Sequence, residues 1–381
     1  MIYFDNSATT KVTPEVLKVY EKVSQRFFGN PSSLHYLGTQ AHELLESARA
    51  QVAQILHVKP TEIYFTSSGT EGDNWLIKGT AMEKMRFGKH IITTQIEHPA
   101  VAHSMDQLEH LGFEITRLSV DKTGQISIDE LKQAIRPDTI LATFIAVNNE
   151  MGAIQPLAKI SEVLAEYPTI HLMIDAVQAI GKIDLPLGND QRIDMAVFSG
   201  HKFHAPRGVG IVYLKEGKQV APLLSGGGQE KGQRSSTENL PGIVATSRAL
   251  RLLTKDEMKK RQHLAQLTQK LREGLKNLPY VQFFSTDKGA PHITCLGIQG
   301  IRGEVLVHAL EAEEIYVSTT SACSSRAGRD SSTLLAMGIV HEEAETAIRI
   351  SFSEYNTMEE VAQFLQAFKA IYRQLTRIYE K

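Results

Sequence analysis

The 381-residue sequence predicts an α/β fold: a mostly parallel seven-stranded sheet covered by helices, followed by a smaller α+β domain. Seven β-rich runs lie between residues 63 and 214, and amphipathic helical patterns separate several of them. After about residue 254 this alternation stops, and a long charged helical pattern takes over. These observations divide the chain into a large domain over 15–254 and a small domain made of 1–14 and 255–381.

In chain order, QAHELLESARAQVAQILHV (40–58) puts Leu44, Leu45, Ala48, Val52, Ile55 and Leu56 on one helical face. IYFTSS (63–68) reads as a short strand entering a turn. KHIITTQ (89–95), FEITRLSV (113–120), ILATFIAVN (140–148), IHLMID (170–175), DMAVFS (194–199) and VGIVYL (209–214) read as further strands. Val101–Leu111, Ile128–Ile135 and Leu157–Glu166 carry helical spacing between them. In the smaller domain, residues 255–278 predict one long amphipathic helix and HITCLGI (292–298) a strand. Glu359–Tyr379 repeats apolar residues at helical spacing from Val361 to Ile378.

Hydrophobic residues make up 42% and charged residues 22% of the chain, ordinary for a globular enzyme. A formal net charge of −2 supplies no field for nucleic acid or an anionic membrane. The opening MIYFDNSATTKVTPE carries Asp5 and lacks the apolar core of a secretory signal. The apolar run ILATFIAV falls far short of the ~18 residues a membrane span needs. Two cysteines, Cys295 and Cys323, make no disulfide framework. A reducing cytoplasm is the expected compartment.

Ligands of open parallel sheets bind at the carboxyl ends of the strands, so the residues just past each run are the candidates. The turn Ser67-Ser68-Gly69-Thr70-Glu71-Gly72-Asp73-Asn74 offers hydroxyls and backbone N–H groups to a phosphate at a helix N-terminus. Later runs deliver His98, then Asn148, Asn149 and Glu150, then Asp175 and Gln178, and finally Ser199, His201 and Lys202. A phosphate-binding turn, a strand-end aspartate and a lysine in one cleft are what pyridoxal phosphate requires. Lysine takes the aldehyde, and the aspartate keeps the pyridine nitrogen protonated. Desolvation beside cationic groups makes such a lysine lose its proton readily.

Taken singly, each residue has a plainer reading. A strand-end aspartate commonly caps a helix, and a lone histidine is commonly just satisfied or exposed. His201 and His204 are two potential metal ligands without a third. The GGGQ run at 226–229 reads as a turn, because no GxGxxG follows a strand. Cys295 reads as a buried small hydrophobe, and Arg349 as an edge charge.

Together and in order, YFDNSATT (3–10), GNPSSLH (29–35), SSGTEGDN (67–74), EHPAV (97–101), VNNEMG (147–152), DAVQ (175–178), SGHK (199–202), RSST (234–237) and SAC (321–323) resemble the cysteine desulfurases of the NifS/IscS type. These are fold-type I pyridoxal phosphate enzymes, and the similarity covers nearly the whole chain. The resemblance implies that Lys202 carries the cofactor, Asp175 pairs with the ring nitrogen and Gln178 bonds the ring hydroxyl. It implies that His98 stacks on the ring and moves protons. Gly69, Thr70, Ser199 and His201 would hold the phosphate, and Thr237 would reach the phosphate of the neighbouring subunit of a homodimer. Asn149, beside the cofactor, and Arg349, in AIRISFS, would bind the substrate carboxylate.

Cys323, in the small polar run STTSACSSRAGRDSST, would take the sulfur of L-cysteine as a persulfide and leave L-alanine. Arg326 and Arg329 stand near enough in sequence to favour its thiolate. A shared iron–sulfur ligand at Cys323 is a further expectation of the resemblance. The acceptor would be an iron–sulfur scaffold, a tRNA-thiolation enzyme or another sulfur-accepting protein. Because the sequence ends directly after its last helix, without the scaffold-contacting tail of general assembly relatives, thiolation stays open beside cluster assembly. An aminotransferase or β-lyase would share Lys202 and Asp175 without needing Cys323, and a non-catalytic scaffold would need none of them.

Overall fold

The structure is a computed structural model that describes residues 1–188, 190–320 and 331–377. Strand β1 (Ile2–Tyr3) is followed by helices α1 (Pro14–Arg26) and α2 (Tyr36–Leu56). Then β2 (Ile63–Thr66), α3 (Gly69–Lys84), β3 (His90–Thr94), α4 (Pro99–His110), β4 (Glu114–Leu118) and α5 (Ile128–Ala134) alternate. They continue through β5 (Thr139–Ile145), α6 (Leu157–Ala165), β6 (His171–Asp175), β7 (Met195–Ser199) and β8 (Gly210–Leu214).

The seven strands β2–β8 form one sheet in the order β2-β8-β7-β6-β5-β3-β4. All its pairs are parallel except those of β8, which runs antiparallel to both β2 and β7. Two reversals cancel, so β2, β3, β5, β6 and β7 all end at the same edge. The mostly parallel seven-stranded sheet read from the sequence is therefore present, with one antiparallel member. Side chains alternate across it: Ile174 and Phe198 join one buried cluster, Met173 and Val197 another on the opposite face. A sheet covered on both faces reads as continuous apolar runs, and β5, β6 and β7 are buried at every position.

Helix α8 (Glu257–Leu275) is the single long helix expected over 255–278, and α7 (Leu240–Thr254), which was not expected from the sequence, precedes it. Lys255 leaves helical geometry and Asp256 adopts a left-handed φ of 56°, which separates the two. Pro241 starts α7 without cost because the first-turn N–H groups have no intrahelical acceptor. The rest comprises β9 (Val281–Phe283), β10 (Ile293–Ile298), α9 (Gly303–Glu311), β11 (Ile315–Tyr316), β12 (Ser318–Thr319), α10 (Ser332–Ala336), α11 (His341–Ala344), β13 (Ala347–Ser351) and α12 (Met358–Thr376).

An antiparallel sheet β12-β13-β10-β9 carries α8 and α12. Leu264, Leu267, Leu271 and Leu275 of α8 share a core with Phe364 and Phe368 of α12, each Leu contributing roughly 1.5–3 kcal/mol by burial. A capping box, with Glu360 N–H donating to Thr357 Oγ1 and Thr357 N–H to Glu360 Oε2, fixes the start of α12. Ile2 and Phe4 join this second core, Phe4 packing edge-on against Phe352 at 4.8 Å between ring centroids. Residues 7–10 instead reach the edge of the large sheet, where Thr10 N–H and its hydroxyl both donate to His201 O, at 2.9 and 2.8 Å. The first ten residues thus stitch the two cores together. Among the described residues no helix is long and apolar enough to cross a membrane.

Candidate active site

Asp175 is the last residue of β6, and Lys202 lies three residues past the end of the neighbouring β7, in a short 3-10 turn over Gly200–Lys202. Asp175 pairs in register with Ile145 on one side and Val197 on the other. Lys202 therefore stands at the same strand-end edge as the carboxylate. Its Nζ donates to Ser7 O at 2.6 Å and Ala8 O at 2.9 Å, so the N-terminal segment seats the amine. Burial pushes the Asp175 carboxyl above its ordinary range, while the Val177 N–H on Oδ1, at 3.0 Å, and Lys202 draw it back.

Helix α3 begins at this edge, where Ser68 Oγ accepts from Glu71 N–H at 3.1 Å. A Cβ on Gly69 would stand 3.0 Å from Val177 Cγ2 and 3.2 Å from Ser199 Cβ. Glycine lets the N-terminal turn of α3 rest directly on the ends of β6 and β7. Thr70 is exposed there, Ser199 buried and His201 half-buried. His201 Nδ1 meets Thr9 Oγ1 at 3.1 Å, and burial with Lys202 and Arg207 lowers its imidazole to about 4.

His98 opens α4 and accepts the Ala100 N–H on Nδ1 at 3.1 Å, with Pro99 in the first turn. A backbone donor at Nδ1 leaves the ring proton on Nε2. Burial, then Lys202 and His103, push the imidazole down to about 4, which keeps the ring neutral. Gln178 donates from Nε2 to Ser7 O at 2.8 Å, and His292 Nε2 approaches its Oε1 at 3.5 Å.

Arg349 lies on β13 between β10 and β12 and is 5% exposed, so it is no edge charge. Its Nη2 pairs with Asp5 at 2.9 Å and its Nη1 donates to Asn149 O at 3.0 Å, while its buried Nε has no partner. Asn149 thus reaches Arg349 through its backbone. Its neighbour Glu150 accepts from Ser331 Oγ. Thr237 lines a separate cavity with Ser67, Arg234 and Glu238. Cys323, Arg326 and Arg329 lie outside the described residues. Cys295 is fully buried, and burial raises its thiol far above the ordinary range. Among the described residues no group of three His, Cys, Asp or Glu side chains is arranged to hold a metal, and His204 instead bonds Lys11 O at 2.9 Å.

This donor set fits pyridoxal phosphate. It offers a buried carboxylate for the ring nitrogen, an amine for the aldehyde and a glycine-started helix for the phosphate. Sequence reasoning missed three residues of the neighbourhood: Asp5, which pairs with Arg349 from 344 positions away, and the buried acids Asp73 and Glu97. No local spacing signals so distant a pair, although Asp5, Asp73 and Glu97 all fall inside the quoted motifs.

The aminotransferase class-V family model matches residues 2–364. A protein of Lactobacillus delbrueckii subsp. bulgaricus described as a NifS/IcsS protein homolog is 51% identical over 99% of each chain. The cysteine desulfurase IscS of Methanosarcina thermophila is 42% identical over 98% of this chain and 92% of its own. A solved NifS-like protein superimposes with a TM-score of 0.91 at 39% identity, covering 97% of this chain and 98% of its own. Chain coverage and superposition agree with these relatives, and the chain belongs to the aminotransferase class-V family, among the pyridoxal phosphate-dependent cysteine desulfurases of the NifS/IscS type.

Proposed function

We propose that the chain desulfurates L-cysteine to L-alanine and receives the sulfur on Cys323 as a persulfide. The reading rests on one observation above the others: Lys202 and Asp175 stand at the ends of paired strands, beside the N-terminus of α3. When bound, pyridoxal phosphate supplies an aldehyde for the substrate amine and a protonated ring that accepts the electron pair left on Cα. Arg349, with Asn149, orients the substrate carboxylate. Lys202 would hold the aldehyde at rest, and its amine would take the Cα proton of the bound substrate. Asp175 holds its negative charge against the ring nitrogen, Gln178 bonds the ring hydroxyl, and neutral His98 stacks on the ring with Nε2–H as its donor.

Gly69, Thr70, Ser199 and His201 bind the phosphate, and Thr237 completes that site from the second subunit of a homodimer. The Cys323 thiolate attacks the substrate sulfur. An S–S bond forms as the Cβ–S bond breaks, Cβ keeps the electron pair and takes up a proton, and Lys202 returns its proton to Cα. The sum is L-cysteine plus enzyme thiol giving L-alanine plus enzyme persulfide, with no external oxidant or reductant. Residues 15–254 bind the cofactor, while 1–14 and 255–381 form the smaller domain that carries the acceptor cysteine. An iron–sulfur scaffold or a thiolation enzyme then takes the sulfur.

Cys323→Ala tests the sulfur step: the purified variant is expected to stay yellow with bound cofactor yet form no alanine from L-cysteine. Alanine formation at the normal rate in that variant would remove the persulfide from the account.

A further inference from the structure

Three carboxyl groups meet at the inner end of the cleft, and the reaction above uses one of them. Asp175 ends β6. Glu97 Oε1 accepts from Thr94 Oγ1 at 2.7 Å and from Ile145 N–H at 3.0 Å, and Ile145 is the register partner of Asp175. Asp73 sits on α3 directly after Gly72, whose Cβ position lies 2.9 Å from Val197 Cγ1, and Val197 is the other register partner of Asp175. Asp73, Glu97 and Asp175 are 2%, 7% and 2% exposed. No ion pair among the described residues includes any of them, and Asp73 Oδ1 and Glu97 Oε2 are buried without a hydrogen-bond partner.

We propose that Asp73 and Glu97 are positioning residues for Asp175: two uncharged carboxylic acids packed beside it that leave it the single carboxylate of the site. Burying an unpaired carboxylate costs several kcal/mol, so a buried acid without a cation keeps its proton. Three such groups side by side cannot all ionise, and the charge settles where a cation helps. Lys202 draws only Asp175 down. Asp73 is raised by burial and then by Asp175 and Glu97, and burial takes Glu97 up to about 8. The charges that act on Asp73 are Asp175 and Glu97, the charge that acts on Glu97 is Asp175, and Thr94 Oγ1 and the Ile145 N–H are the hydrogen-bond donors to Glu97.

The inference rests on the cofactor reading, and it predicts an alkaline response. When Glu97 ionises, a second negative charge appears beside Asp175 and holds protons on the bound cofactor more tightly. The sign for stability follows from the raised carboxyls. The protons of Asp73 and Glu97 stabilise the fold fully below the ordinary carboxylate range, and for Glu97 this support is lost as pH rises through about 8.

Infrared difference spectra of the holoenzyme, combined with pH titration of its visible absorbance, test the proposal. Wild-type enzyme near neutral pH is expected to show protonated-carboxyl C=O bands, one of them absent in Glu97→Gln and another in Asp73→Asn. The midpoint of the cofactor's visible titration is expected at lower pH in Glu97→Gln than in wild type. A wild-type spectrum without protonated-carboxyl bands overturns the proposal, as does an unchanged midpoint in Glu97→Gln. The wild-type bands decide the matter alone if the variants do not fold. Protein that binds no cofactor but shows the bands refutes the cofactor reading and leaves the neutral acids standing.

Discussion

The Arg49–Glu230 pair and the Asp175 end of the cleft are equally deep, and they are wired in opposite ways. Arg49 grips Glu230 with two hydrogen bonds of 2.8 Å, gives a third to Ile63 O at 2.8 Å and a fourth to Glu46 at 3.0 Å. Glu230 also accepts the Phe65 N–H at 2.9 Å, and the guanidinium lies 5.0 Å from the Phe65 ring centroid. That site is electrically complete. At Asp175 the acids outnumber the cations, and buried oxygens on Asp73 and Glu97 have no partner. A complete buried pair serves the fold, whereas an incomplete one is finished by a ligand. In the function proposed above, the protonated ring of pyridoxal phosphate supplies the missing positive charge.

Breaking the incomplete site should abolish chemistry while sparing the fold. Asp175→Asn keeps an acceptor for the Val177 N–H but removes the charge that holds the ring proton. Desulfuration should fall about a hundredfold or more, measured as alanine formed per bound cofactor, with little change in melting temperature. Activity within a fewfold of wild type would break the contrast. Breaking the complete site should do the reverse. Glu230→Ala strips buried Arg49 of its two shortest carboxylate bonds and leaves it only the partly exposed Glu46 as an ionic partner, a loss of about 3 kcal/mol in stability, measured by denaturant unfolding in the presence of cofactor. A loss below 1 kcal/mol would show that Arg49 finds water or another partner.

Arg349 falls between these two cases, because it has Asp5 and Asn149 as partners and still has a buried Nε without one. Arg349→Lys retains the charge but not the planar fork, so it cannot serve Asp5, Asn149 and a substrate carboxylate together. KM for L-cysteine should rise about tenfold, which is about 1.4 kcal/mol of binding, with a smaller change in kcat. An unchanged KM would place the carboxylate elsewhere.

The same contrast explains what the sequence made legible. Strands buried on both faces are written as local apolar runs, so β5, β6 and β7 and their terminal residues could be read directly. Helix α7 just before residue 255 could not, because its buried face mixes small and polar residues such as Gly242, Ala245, Thr246 and Ser247 with a few large apolar ones. Lys202 and Asp175 were visible because each follows its own strand. Asp5 and Glu97 were not, since their significance lies in partners that only the fold brings near. A buried unpaired acid and a solvated one look alike in a sequence.

The smallest effect concerns the second cysteine. Cys295 sits on β10 in register with Arg349, with no exposed surface, and its N–H donates to Ser285 Oγ at 2.7 Å. Burial first, and Glu150 next, hold its sulfur in the thiol form, and a thiol without thiolate character neither attacks sulfur nor passes it on. Its contribution is packing among Met151, Phe284, Leu334 and Met337. Cys295→Ala removes one sulfur atom from that cluster and touches no backbone hydrogen bond. The expected cost is about 1 kcal/mol of stability, with alanine production at the wild-type rate. If the variant instead loses turnover while keeping its fold and its colour, sulfur passes through Cys295. The distinction between a buried group that packs and a buried group that reacts would then fail at this position.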